Sequence, residues 1–240
     1  MTRLPRLTLS VTLCCLLLPL QGHADGSVID KIYHPYVNQL EWELEWRAVH
    51  QSRDPATGEA RYQTQKLGLG RAVNEFVFAE LYLLGEASAD RSLQVRGWEA
   101  EVLWQVSEQG EYAVDYGLLF ELEKARDDDV WEYATTLLLE RELGRFSATA
   151  NLGLVYEWGD DIADEFETTV ALQGRYRHSP LLEPALELYL GEDTRALGPM
   201  LLGMARLGER QALRWEAGVV WALDNTTADY SFRALLEYEF

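Results

Sequence analysis

The stretch Leu40-Glu41-Trp42-Glu43-Leu44-Glu45-Trp46-Arg47-Ala48 alternates without a break: Leu40, Trp42, Leu44, Trp46 and Ala48 fall on one side, Glu41, Glu43, Glu45 and Arg47 on the other. Successive side chains of a β-strand point to opposite faces, so a period of two predicts a strand with one apolar and one charged side. The pattern recurs downstream. Trp98, Ala100, Val102, Trp104 and Val106 oppose Glu99, Glu101 and Gln105; Tyr112, Val114, Tyr116, Leu118, Phe120 and Leu122 oppose Asp115, Glu121 and Glu123. Trp131 to Leu139 faces Glu132, Glu140 and Glu142, and Phe146 to Trp158 faces Ser147, Thr149, Asn151 and Glu157.

Less regular candidates run through 61–70, 74–84, 165–177, 184–190, 196–207, 212–222 and 228–240. With the clean ones they make about twelve strands, ten to fourteen being compatible with the pattern. Strands of about ten residues suit a tilted crossing of a bilayer, whereas strands of soluble sheets run to about five or six. The prediction is an all-β, antiparallel, up-and-down transmembrane β-barrel, with a soluble sandwich as the alternative.

Tight links are expected at Arg71-Ala72-Val73, Ser107-Glu108-Gln109-Gly110 and Leu143-Gly144-Arg145, alternating with longer acidic links at 51–59, 127–129, 159–164 and 224–228. Short turns on one side and longer loops on the other is the outer-membrane arrangement. With the N-terminus on the periplasmic side, every acidic loop lands outside. Trp46, Tyr82, Trp98, Tyr112, Trp131, Tyr156, Trp158, Tyr176, Trp215, Trp221 and Tyr238 sit near strand ends, where interfacial aromatic girdles form.

The first 24 residues carry Arg3 and Arg6, an apolar run from Leu7 to Leu20 and Gly22-His23-Ala24 before Asp25, the pattern of a secretory signal peptide cleaved after Ala24. Residues 25–240 then form one barrel domain, opened by a short periplasmic segment, 25–38. Both cysteines, Cys14 and Cys15, fall in the leader, leaving no thiol for a disulfide or a thiolate metal site.

The whole chain carries a net charge of −19, with 40 acidic and 21 basic side chains, two of the latter in the leader. Nucleic-acid binding, which rests on clustered Lys and Arg, is excluded.

At the C-terminus, Tyr230 to Phe240 alternates and ends on an aromatic, with Tyr238, Leu236 and Ala234 at alternate positions before Phe240. This resembles the terminal strand of Gram-negative outer-membrane barrels, which the barrel-assembly machinery reads, so Tyr238 and Phe240 are the expected insertion signature. His34-Pro35-Tyr36-Val37 with the acidic first strand, Gly144-Arg145-Phe146 with Thr149-Ala150-Asn151-Leu152, and Arg175-Tyr176-Arg177 with Ser179-Pro180 and Glu183-Pro184 resemble a set of uncharacterised proteobacterial outer-membrane proteins. The resemblance implies a barrel in the bacterial outer membrane. It implies no activity and brings no site residues.

The inward face is the most informative feature. Glu41, Glu43, Glu45, Glu99, Glu101, Glu121, Glu123, Glu140, Glu165 and Glu167 are expected to line the lumen, with few cations against them. Two readings follow. In one, the carboxylates solvate a wet, partly salt-bridged interior; in the other, they make a pore that favours cations or small hydrophilic solutes, as carboxylate rings do. A structural or interaction barrel displaying acidic loops is the competing function, and a lumen filled by Phe76, Phe78, Leu103, Leu119 and Leu138 would favour it.

Asp127, Asp128 and Asp129 are a candidate site for a divalent cation, or for ions bridging lipopolysaccharide to the loops. Lipid, lipopolysaccharide, the assembly machinery and small solutes are the expected partners. No cofactor and no enzymatic activity are expected: His34 and His178 fall on the periplasmic side, which leaves His50 with Asp54 as the one pair suited to hydrolysis.

Overall fold

The computed structural model describes residues 28–38, 42–53, 58, 60–127, 129–160 and 162–240. The leader, Glu41, Asp54 and Asp128 therefore lie outside the described residues, as do the expectations that rest on them.

Twelve strands close into one antiparallel barrel, each pairing with its neighbours in sequence, and the first with the last. They are β1 (Trp42–Arg53), β2 (Ala60–Ala72), β3 (Val77–Ala87), β4 (Gln94–Gln105), β5 (Asp115–Ala125), β6 (Val130–Leu143), β7 (Phe146–Gly159), β8 (Glu165–Tyr176), β9 (Glu183–Leu190), β10 (Arg195–Arg206), β11 (Ala212–Ala222) and β12 (Tyr230–Glu239). The seam closes at the ends of β1 and β12, where Trp42 and Phe240 exchange backbone hydrogen bonds of 3.0 and 2.9 Å. Closure leaves no unpaired edge, the condition for placing strands in hydrocarbon. The Tyr238 and Phe240 rings stack beside this seam with centroids 5.4 Å apart.

Alternation decides the two faces. Leu44, Leu67, Leu69, Leu81, Leu83, Val102, Leu154, Leu186, Leu201 and Leu236 are exposed on the outside, an apolar belt suited to lipid. Trp98, Trp131, Trp158, Tyr156 and Phe166 form a chain of ring contacts on the outer face of β4 and β6–β8. Tyr82 departs from the expected girdle: it shares the parity of Glu80, points inward and is buried. Gly68, its cross-strand partner on β2, makes the space, because a Cβ there would collide with the Tyr82 ring and the Glu80 carboxylate.

The connections also differ from expectation. Gly144-Arg145 is a true two-residue turn, with Gly144 at φ 67°, which suits the right-handed twist of a hairpin. The link expected at 107–110 instead spans 106–114, longer than every link of the acidic end. Side chains hold it open: Asp115 accepts from the Gly110 N–H and Glu111 from the Glu108 N–H. Tyr112 and Val114 thereby fall outside β5. Loop length does not separate the two barrel ends.

Residues 28–38 do not hang outside the barrel. They thread the lumen, contrary to the periplasmic tail expected for 25–38. Ile29 and Ile32 are 1 % exposed and pack on Val49, Ala171, Tyr189, Ala196 and Val220; Tyr33 packs on Leu119, Leu138 and Leu103. Burying side chains of this size contributes about 1.5–3 kcal/mol each, which a solvated tail would forgo. Phe76, expected among the lumen-filling groups, lies in the β2–β3 turn and is 40 % exposed.

Candidate functional site in the barrel lumen

Because strand register is fixed by the inward–outward pattern, the inward glutamates fall opposite one another from strand to strand. One row runs Glu237, Glu45, Gly68, Tyr82, Glu99, Glu123, Glu132, Glu157 and Glu165 across β12 and β1–β8. A second, two residues away, runs Glu239, Glu43, Gly70, Glu80, Glu101, Glu121, Ala134, Val155 and Glu167. Like charges directly opposite one another destabilise a sheet, and buried carboxylates need partners. The cations that answer them come from two sources.

Some lie on the wall. Arg47, 2 % exposed, donates to Glu101 at 2.9 Å and forms an ion pair with Glu45 at 2.5 Å, with its guanidinium 4.5 Å from the centre of the Tyr82 ring. Lys66 bonds Glu99 at 2.7 Å, and Arg96 pairs with Glu123. Arg214 lies 3.4 Å from Glu237 and 3.6 Å from Glu239.

Others come from the threaded segment. The Lys31 ammonium sits 2.5 Å from Glu45, 3.3 Å from Glu237 and 3.8 Å from Glu43. Asp30 accepts from Arg47 and Lys66, each at 3.1 Å. Burial disfavours the Asp30 charge, but these two cations outweigh it and hold the carboxyl well below its usual range. The Tyr33 hydroxyl donates to Glu101 at 2.7 Å, and the Tyr33 backbone makes paired 2.8 Å bonds with the Asn151 amide. His34 bonds Glu140 at 2.5 Å, and the Tyr36 hydroxyl donates to Asp115 at 2.8 Å. His34 is thus a lumen residue, at the end of the barrel opposite the acidic loops.

The segment divides the interior. On the acidic-loop side lies a cavity of about 180 Å³, walled by Lys66, Arg96, Glu121, Glu123, Glu132 and Glu167 among others. On the opposite side, His34, Tyr36, Arg175, Arg177, Glu183 and Arg214 border a space of about 410 Å³. Between them an 80 Å³ cavity is lined by Lys31, Tyr33, Glu43, Glu80, Glu101 and Glu237.

Of the sequence-predicted residues, Glu43 and Glu45 meet around Lys31, and Glu99, Glu101 and Glu121 bring a carboxylate oxygen each within 4.8 Å of one another. Glu123, Glu165 and Glu167 continue the rows. Glu140 stands apart, in a cluster with His34, Ser147, Thr149 and Arg175. Asp127 and Asp129 are exposed and engaged by Arg126 and Lys124, so neither belongs to a group of carboxylates poised for a metal ion among the described residues. His50 lies opposite Phe232 and Gln63, while Asp54 lies outside the described residues.

Sequence reasoning missed Glu237 and Glu239, although both have the inward parity of the terminal strand that Tyr238 and Phe240 announce. It also missed the segment, whose signal was an Ile-Tyr-rich stretch too apolar for a solvated tail.

This architecture defines a class: closed antiparallel barrels of the outer-membrane type. No family model matches the chain, and no curated protein matches it in sequence. Among solved structures, the chain is similar to an outer-membrane channel from Pseudomonas putida F1, with 13 % identity, a TM-score of 0.59, and 88 % of this chain and 98 % of that one covered. It is also similar to the KdgM porin solved in complex with disordered oligogalacturonate, with 10 % identity, a TM-score of 0.54, and 82 % and 98 % covered. At such identities the likeness is one of fold.

Proposed function

We propose that the protein is an outer-membrane pore for small hydrophilic solutes that favours cations, closed in this state by its own residues 28–38. The observation that carries the reading is the pair of carboxylate rows along the lumen wall. Carboxylates in such number lower the cost of a cation and raise that of an anion. The rows argue against a polyanionic cargo such as the oligogalacturonate found with the KdgM porin. The apolar belt, the closed seam and the leader pattern support placement in the outer membrane, with Tyr238 and Phe240 as the signal for assembly. Lipopolysaccharide, held through divalent ions, is the partner proposed for the acidic loops.

The test is conductance of the refolded residues 25–240 in planar bilayers under a salt gradient, alongside a variant lacking 28–38. The deletion variant is expected to conduct steadily with a cation-selective reversal potential, and Glu99→Gln, Glu101→Gln and Glu121→Gln together to shift that potential toward zero. A folded but silent deletion variant overturns the pore.

A second reading, a non-conducting barrel that displays acidic loops, is favoured by one observation: Tyr33 seats the threaded segment on an apolar patch of the wall made by Leu103, Leu119 and Leu138 of β4–β6. A silent deletion variant would establish it.

A further inference from the structure

The Lys31 ammonium is held by three carboxylates from two strands, Glu43 and Glu45 on β1 and Glu237 on β12. It arrives on a segment that belongs to no strand and could be withdrawn without breaking a single strand pairing. Were it withdrawn, the three carboxylates would be left facing one another, with Arg214 beside Glu237 and Arg47 and the Tyr82 hydroxyl on Oε1 of Glu45 as the wall groups that remain, and, among the described residues, with no cation on Glu43.

The cradle also holds more acceptor capacity than one ammonium satisfies. Oε1 of Glu43, 3.8 Å from Lys31, is buried and accepts no hydrogen bond. Glu80, 6 % exposed, likewise keeps Oε1 without a partner. Both residues line the 80 Å³ cavity that adjoins the Lys31 side chain, together with Glu101 and Glu237. A buried acceptor without a donor costs free energy, and a second cationic donor in that space would relieve it.

We infer that Glu43, Glu45 and Glu237 form a binding site for the primary ammonium groups of small di- and polyamines, with Lys31 as its tethered occupant. The assignment rests on the pore reading for its role in transport and names the solute class. The geometry of the occupant dictates the chemistry: a compact point charge with three donors meets three carboxylates, and the neighbouring cavity beside Glu80 takes a second ammonium a few bonds away. A tethered ligand competes at a high effective concentration. Free amines therefore bind the wild type weakly and bind tightly once Lys31 is neutral. Displacement of Lys31 by a diamine also loosens 28–38, so cargo and opening share one site.

The experiment measures binding apart from conduction. Calorimetric titration of the refolded barrel with 1,5-diaminopentane is run on the wild type, Lys31→Met and Lys31→Arg, with 1,5-pentanediol as the uncharged control. Lys31→Met is expected to bind the diamine about tenfold or more tightly than either the wild type or Lys31→Arg. Adding Glu43→Gln and Glu237→Gln to Lys31→Met should abolish the gain. Folding of each variant is read from its faster migration on unheated gels.

On the wild type alone, amide exchange across 28–38 is expected to quicken in millimolar diamine, but not in pentanediol or in sodium chloride of equal ionic strength. No binding by folded Lys31→Met, equal binding by all three proteins, or exchange unmoved by the diamine each overturns the inference. A conducting barrel that binds no diamine overturns this site and leaves the pore standing. A barrel that binds but stays silent with 28–38 removed keeps the site and overturns the pore.

Discussion

Two buried ion clusters in this lumen use the same chemistry to different ends. Around Arg233, every member belongs to the wall. Its guanidinium meets Glu187 at 2.8 and 3.1 Å and Glu216 at 2.8 Å, while Gln173 and Tyr189 fill the remaining lone pairs of Glu187. These groups come from β8, β9, β11 and β12, so the cluster ties β12 to β9 past the two strands between them. Around Lys31 the carboxylates belong to the wall, but the cation rides on a strand-free segment. Removing Arg233 strands buried charge in the barrel itself. Removing Lys31 strands charge only where the segment can leave and water can enter.

The contrast is sharpest in stability. Arg233→Met leaves the fully buried Glu187 and the buried Glu216 without their cation; a loss of about 3–5 kcal/mol is expected, since breaking one side of a buried pair costs that much. Urea unfolding of the lipid-embedded barrel measures it, and a loss below about 1 kcal/mol would erase the distinction between the clusters.

Gly68→Ala tests the wall from another side. The new Cβ runs into the Tyr82 ring, whose hydroxyl donates to Glu45 at 2.9 Å. Overpacking of this kind costs about 1–3 kcal/mol, and the same unfolding experiment reads it.

Lys31→Met should shift the unfolding midpoint much less than Arg233→Met, while amide exchange across 28–38 rises because local opening is drawn from the least stable elements. Exchange that stays slow would mean that Ile29, Ile32 and Tyr33 hold the segment without the ammonium. The smallest effect is expected at the loop end. Lys124→Ala removes a 2.5 Å pair with the exposed Asp129, and surface pairs of this type contribute about 0–1 kcal/mol.

The same contrast explains what could be read from the chain. Alternation exposed nearly every strand, because a tilted strand between lipid and water must keep an apolar side and a polar side for its whole length. It also assigned the inward glutamates of β1, β4 and β5, since parity within a strand needs no knowledge of its neighbours. Tyr82 was misplaced because its character suited the girdle, although its parity with Glu80 already put it inside. The loop at 106–114 was read too short because the carboxylates that hold it open, Asp115 and Glu111, act through backbone hydrogen bonds that leave no periodic trace.

By itself, the sequence determined the closed-barrel class, the apolar outside and the carboxylate-rich inside, because those follow from a period of two and from the solvent on each face. Only the tertiary structure decided which glutamates meet in rows, since cross-strand register joins residues as distant as Glu45 and Glu237. Only it decided that residues 28–38 run inside: their apolar side chains needed a dry surface, and the lumen supplied one beside carboxylates that needed a cation.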